Sequence, residues 1–120
     1  MQKIELFEKY GISGKMEYYP DTKTAFVYIM DHQHNITFYT IPDLENVDDG
    51  VDDMKNMLKS DMSYKLSFSI MRSFYEKWDD LVTARDKVYQ IHHFENDPDK
   101  RIQTLENYIK NNKIRLVCHL

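Results

Sequence analysis

Residues 24–41 read Thr-Ala-Phe-Val-Tyr-Ile-Met-Asp-His-Gln-His-Asn-Ile-Thr-Phe-Tyr-Thr-Ile, and Pro42 follows. The runs 24–30 and 36–41 are rich in β-branched and aromatic residues, which predicts two strands. The short loop His32-Gln33-His34-Asn35 between them makes an antiparallel hairpin. Along the first run Phe26, Tyr28 and Met30 fall on one face and Ala25, Val27 and Ile29 on the other, so both faces are expected to be covered. Pro42 cannot donate to a ladder and closes the second strand.

Working outward toward the N-terminus, residues 15–19 read as a further strand ended by the turn residues Pro20 and Asp21. Before it, Ile4, Phe7 and Tyr10 are spaced by three, which predicts a short helix over 2–10 stopped at Gly11, with 11–14 as a loop.

On the other side, a short helix is expected with Val51, Met54 and either Met57 or Leu58 facing inward, ending near Ser60. Residues 64–70 carry two patterns. Tyr64, Leu66, Phe68 and Ile70 alternate as in a strand, yet they run directly into a helical repeat. That repeat takes Met71, Phe74, Tyr75, Trp78, Leu81, Val82, Arg85, Val88, Tyr89 and His92 at steps of mostly three or four, and predicts a long amphipathic helix at about 70–94. Tyr75, Trp78 and Tyr89 are assigned to its core-facing stripe. Asp97-Pro98 supplies an N-cap and a first helical residue for a last helix, with Ile102, Leu105 and Ile109 inward and Asn111-Asn112 at its end. Residues 114–117 read as a final strand returning to the sheet.

The expected fold is therefore α+β over a single domain, 1–120. A small, mostly antiparallel sheet, the central hairpin 24–41 plus flanking strands, packs on two or three helices. Hydrophobic residues make up 42% of the chain, with nine Tyr, six Phe and seven Met, enough for a core at this length. The single cysteine, Cys118, cannot form an internal disulfide and fits a reducing compartment. Charges at Lys3 and Glu5 oppose a signal peptide, and no apolar run approaches the ~20 residues of a membrane span. The expectation is a cytoplasmic protein with no membrane partner. Few Ala, Gly and Pro beside abundant Lys, Asn, Ile, Tyr and Met are what AT-rich coding produces, and raise the expectation of a phage-encoded accessory protein in a host cytoplasm.

Charge is spread unevenly. From Thr24 to Met54 there is no Lys or Arg, while Asp31, Asp43, Glu45, Asp48, Asp49, Asp52 and Asp53 give a net of −7. Residues 1–23 are neutral and residues 55–120 carry +3. One reading is that these acids meet a basic surface on a protein partner, occupying the place of phosphates. The plainer reading is a solvated loop and first helical turn, where negative charge suits the helix dipole. A sequence pI near 5.7 argues against direct nucleic-acid binding. The rings of Phe26, Tyr28 and Phe38 lie in the acid-only part of the chain, which would repel phosphates, so they are assigned to packing.

Chemical motifs are sparse. His32 and His34 sit in the hairpin loop, and His92 and His93 near the end of the long helix. Converging histidines would suit a phosphodiester or nucleotide hydrolase, but no spacing in the sequence brings them together. A zinc site would call for paired CxxC or HExxH ligands, which are missing, and Cys118-His119 adds one soft ligand at most. The acids of 43–53 fail as a calcium loop, because Asn56 stands where a bidentate Glu is required. No phosphate loop, dinucleotide fingerprint or nucleophile elbow occurs. No catalytic residue, cofactor or metal is assigned.

The sequence is accordingly read as a non-enzymatic protein-binding module, a phage-type inhibitor or modulator of a host nucleic-acid-handling or defence complex. Its candidate interface is Asp43, Glu45, Asp48, Asp49, Asp52 and Asp53 together with His32 and His34. The alternatives are a small histidine- or metal-dependent nucleotide or RNA hydrolase, and a structural subunit that self-assembles through its long helix.

Overall fold

Tyr10 and Gly11 both take left-handed backbone angles, φ 54° and 76°, and this two-residue turn folds β1 (Gln2–Lys9) onto β2 (Ile12–Tyr19). A computed structural model of the chain describes residues 1–31 and 35–116. β3 (Thr24–Met30) and β4 (Ile36–Ile41) form the hairpin read from the sequence and, among the described residues, complete a four-stranded antiparallel sheet in the order β1-β2-β3-β4. Among the described residues three helices follow, α1 (Val47–Arg72), α2 (Trp78–Phe94) and α3 (Pro98–Asn111). The fold class is α+β. The described residues divide into two compact units, Met1–Leu58 and 59–116, and the division falls inside α1.

The first strand corrects the helix expected over residues 2–10 and the loop expected over 11–14. The ladder shifts register between Glu5 and Phe7, so Ile4 faces Met16 and Phe7 faces Gly14 on the same side of the sheet. A bulge of this kind puts residues three apart on one face and imitates a helical step. Gly14 is needed where it stands, since a Cβ there would come 2.6 Å from Phe7 Cε1.

One face of this sheet is closed to water: Ile12, Met16, Ala25, Val27 and Ile29 are fully buried and Tyr18 nearly so. Tyr18 OH donates to the carbonyls of Leu44 and Glu45, and the Leu44 amide donates to the Lys23 carbonyl at 2.8 Å. These bonds hold the segment leading into α1 against the β2–β3 turn. The other face is not covered as expected. Tyr19 meets Phe26 edge-on at 5.6 Å and Phe26 stacks on Phe38 at 5.7 Å, but Phe38 remains 57% exposed and Ile36 61%. Asp31 and Asn35 clamp the neck of the hairpin, the Asn35 amide donating to Asp31 Oδ1 at 3.0 Å.

α1 is capped by the preceding Asn46, whose side-chain oxygen accepts from the Asp48 amide at 2.9 Å. It does not end near Ser60 but continues through 64–70. Burial there follows the helix, with Met62, Ser63, Leu66, Ser67, Ser69 and Ile70 inside and Tyr64 and Phe68 outside. The serines can be buried because their hydroxyls donate within the helix, Ser63 to the Ser60 carbonyl and Ser67 to the Ser63 carbonyl, both at 2.7 Å. The strand-like alternation arose because two of its members, Tyr64 and Phe68, belong to the exposed side.

The helix expected at about 70–94 is interrupted. α1 stops at Arg72, and residues 73–77 form tight turns in which Phe74, Tyr75 and Lys77 amides donate three residues back. α2 then buries Ala84, Val88 and Ile91. Tyr75, Trp78 and Tyr89, assigned to the core by their spacing, are exposed instead. α3 matches the sequence reading: the Asp97 side chain accepts from the Asp99 amide, Pro98 opens the helix, and Ile102, Leu105 and Ile109 are buried. Residues 114–116 are not in a strand, and Val117, Cys118 and His119 lie outside the described residues. No helix among the described residues is long and apolar enough to cross a membrane.

Candidate functional site

The acids singled out by the sequence are placed by two devices. Asp43 sits at the turn after β4 with φ 58°, and Glu45 is held by Lys23 at 2.8 Å. Asp48, Asp49, Asp52 and Asp53 lie in the first two turns of α1. At helical spacing they share one side, and all four are exposed, while Gly50 and Leu58 are buried. Gly50 packs under Leu44, whose methyls would stand 3.1 Å from a Cβ there. No ion pair holds Asp48, Asp49, Asp52 or Asp53 among the described residues. His32 and His34, the other members of the expected interface, lie outside the described residues.

A second site was missed by the sequence reading. In the second unit, the C-terminal half of α1 and the part of α2 from Arg85 to His93 line an open groove of about 400 Å³. Tyr64, Phe68 and Met71 line it from α1 at steps of four and three, and Arg85, Tyr89 and His93 from α2 at steps of four. Phe68 is 64% exposed and Tyr89 73%. Tyr64 stacks on His92 at 4.5 Å, and His93 lies parallel to Tyr89 at 6.4 Å. The sequence signal was present, because aromatic residues three and four apart mark one helix face. That face was assigned to the core when it is open.

At the side of the groove His92 Nε2 lies 2.8 Å from Ser67 Oγ. The Ser67 hydroxyl donates to the Ser63 carbonyl, so its contact with His92 is completed by the Nε2–H donating to Oγ. His92 Nδ1 is buried without a partner among the described residues. Burial, and after it the Arg101 guanidinium, push the His92 pKa below its ordinary value, with the Ser63 carbonyl pulling the other way. Arg101 in turn donates to the His92 carbonyl at 3.1 Å and to the Glu95 carbonyl, satisfying the C-terminal end of α2.

These contacts decide what the pair can do. A serine nucleophile gives its proton to an unprotonated ring nitrogen that faces it. Here the hydroxyl hydrogen is used within α1 and the facing nitrogen carries its own. The Ser67–His92 contact therefore joins two helices rather than preparing a nucleophile. His92 and His93, neighbours in sequence, point to different surroundings: the first is half-buried against Ser67, the second exposed beside Tyr89. Among the described residues no three His, Cys, Asp or Glu side chains come together in a group that could hold a metal ion.

The fold and these surfaces define a small α+β protein that exposes an acidic helix side on one unit and an aromatic groove on the other. No protein-family model matches the chain, and neither a curated protein nor a solved structure matches it.

Proposed function

We propose that this chain is a protein-binding module that uses the acidic side of α1 to meet a basic surface on its partner. The supporting observation is the exposed stripe of Asp48, Asp49, Asp52 and Asp53, none of which forms an ion pair among the described residues. The helix dipole accounts for acids in the first turn, but its influence fades within that turn and leaves Asp52 and Asp53 unexplained. Lys23 shows that a nearby base is taken up, since it pairs with Glu45. Unpaired carboxylates of this kind steer association and set its specificity. The narrower form of the reading is a phage-encoded inhibitor or modulator that covers the basic surface of a nucleic-acid-handling or defence complex.

The test is affinity capture from a host lysate with the natural chain and with a variant carrying Asp48→Lys, Asp49→Lys, Asp52→Lys and Asp53→Lys. Circular dichroism first establishes that the variant is folded. A partner retained by the natural chain, released by salt and lost with the variant supports the reading. Equal retention by both proteins at every salt concentration removes the stripe from the interface.

A further inference from the structure

The C-terminal half of α1 carries apolar residues on two sides. Met62, Leu66 and Ile70 are buried, whereas Tyr64 and Phe68, set about half a turn away from them, are exposed and line the groove. α2 is built in a similar way. Its buried residues are Ala84, Val88 and Ile91, and Arg85, Tyr89 and His93 beside them form the open wall. A helix with one apolar stripe needs one neighbour, and a helix with two is built to lie between neighbours. At 1.5 Å per residue the row from Tyr64 to Met71 is about 10 Å long and that from Arg85 to His93 about 12 Å, roughly two helical turns each.

We infer that the groove seats an amphipathic α-helix of a partner protein, one that presents an apolar row at i, i+3 or i+4, and i+7 with an Asp or Glu beside it. Three observations select this occupant. The lining runs in two rows at steps of three and four, the spacing into which a further helix packs. Phe68 and Tyr89 stand open to water, whereas a small-molecule site encloses most of its ligand. The charge is one-sided, since Arg85 lines the groove and, among the described residues, no Asp or Glu does. The Arg85 guanidinium meets Asp86 at 3.3 Å, but both side chains are exposed and adjacent in sequence, so this pair holds it weakly. Tyr64 and Tyr89 add hydroxyls that can donate to a carboxylate. A second copy of this chain is a poorer fit. Two such grooves laid face to face about a two-fold axis would each bring Arg85 and neither would bring an acid.

The groove belongs to the second unit and the acidic stripe to the first, so this inference and the proposed function stand or fall separately.

The probe is a fluorescein-labelled synthetic helix with Leu at i, i+4, i+7 and i+11 and Glu flanking that row, titrated with the protein and read by anisotropy. A control peptide carries Gln in place of each Glu, and so has no charge to bring it to the acidic stripe. The Glu peptide is expected to bind, and the Gln peptide to bind roughly fivefold more weakly or worse. Phe68→Ala and Tyr89→Ala alter exposed side chains, and circular dichroism checks that both variants are folded. Each is expected to weaken the Glu peptide by roughly tenfold. Arg85→Gln is expected to abolish the difference between the two peptides, which a double-mutant cycle reads directly. A Glu peptide with Pro at its centre, unable to stay helical, is expected not to bind.

A natural chain that does not bind the Glu peptide overturns the inference. Equal affinity for the Glu and Gln peptides, or a preference that survives Arg85→Gln, overturns the acidic partner. Binding unchanged in both Phe68→Ala and Tyr89→Ala places the peptide outside the groove, and equal binding of the Pro peptide rules out a helix. Sedimentation velocity covers the remaining occupant: a natural chain that dimerises, and that Phe68→Ala returns to monomer, makes a second copy the occupant and overturns the partner helix.

Discussion

Ser67 Oγ and His92 Nε2 lie 2.8 Å apart and join α1 to α2 beside the groove. Since burial and Arg101 push the His92 pKa below its ordinary value, the unfolded chain takes up this proton before the folded one. Stability from this residue is therefore fully present above a pH of about 6.5 and declines as pH falls toward the folded pKa, below which it levels. Denaturant melts between neutral and mildly acidic pH are expected to show that decline, and His92→Phe to flatten it. A slope unchanged by the substitution would show that other groups set the acid response.

The Phe7 ring occupies the space above Gly14 so closely that a Cβ would sit 2.6 Å from Cε1 and 2.9 Å from Cζ. Gly14→Ala forces the ring aside at a buried position next to the bulge. The expected loss is about 1–3 kcal/mol in chemical denaturation. Phe7→Leu together with Gly14→Ala is expected to recover part of it. A Gly14→Ala protein as stable as the natural chain would mean that the ring has room to move.

Legibility in the sequence followed how far each signal was local. The β3–β4 hairpin and α3 were read to within a residue, since a strand run closed by Pro42 and a cap at Asp97-Pro98 depend on neighbours alone. The strand Gln2–Lys9 was not, because its bulge converts alternation into a three-residue step that belongs equally to helices. The α1–α2 break at 73–77 contains no proline or glycine to announce it. The groove stayed hidden for a further reason. Periodicity tells which residues share a face but not whether that face is covered, and the rings of Tyr64, Phe68 and Tyr89 line an open one. The acidic stripe was visible throughout, as charge is a property of the sequence itself.

Asp48 with Asp52, and Asp49 with Asp53, are like charges four residues apart on α1, an arrangement that destabilises a helix. Asp52→Asn combined with Asp53→Asn removes both repulsions and disturbs no ion pair among the described residues. Thermal unfolding is expected to show a gain of about 0.2–0.5 kcal/mol per pair relieved. Loss of partner capture with this gain in stability would mark the acids as kept for binding. A stability loss above about 1 kcal/mol would assign them a role in holding the fold.

Leu66 and Phe68 stand two residues apart on α1 and face opposite environments, Leu66 fully buried and Phe68 open to the groove. Their alanine variants therefore separate packing from recognition. Leu66→Ala empties a closed site and is expected to cost about 2–5 kcal/mol. Phe68→Ala removes a ring that is mostly in water already, so its effect on stability should stay within about 0.5 kcal/mol. Exposed aromatic anchors carry a large share of binding energy where they meet a partner. If the groove takes part in recognition, Phe68→Ala and Tyr89→Ala will each reduce capture of the same partner while melting like the natural chain. If Phe68→Ala instead unfolds the protein as Leu66→Ala does, the ring is a core element, and the groove loses its standing as a surface. Equilibrium denaturation of the three variants beside one capture experiment distinguishes these outcomes.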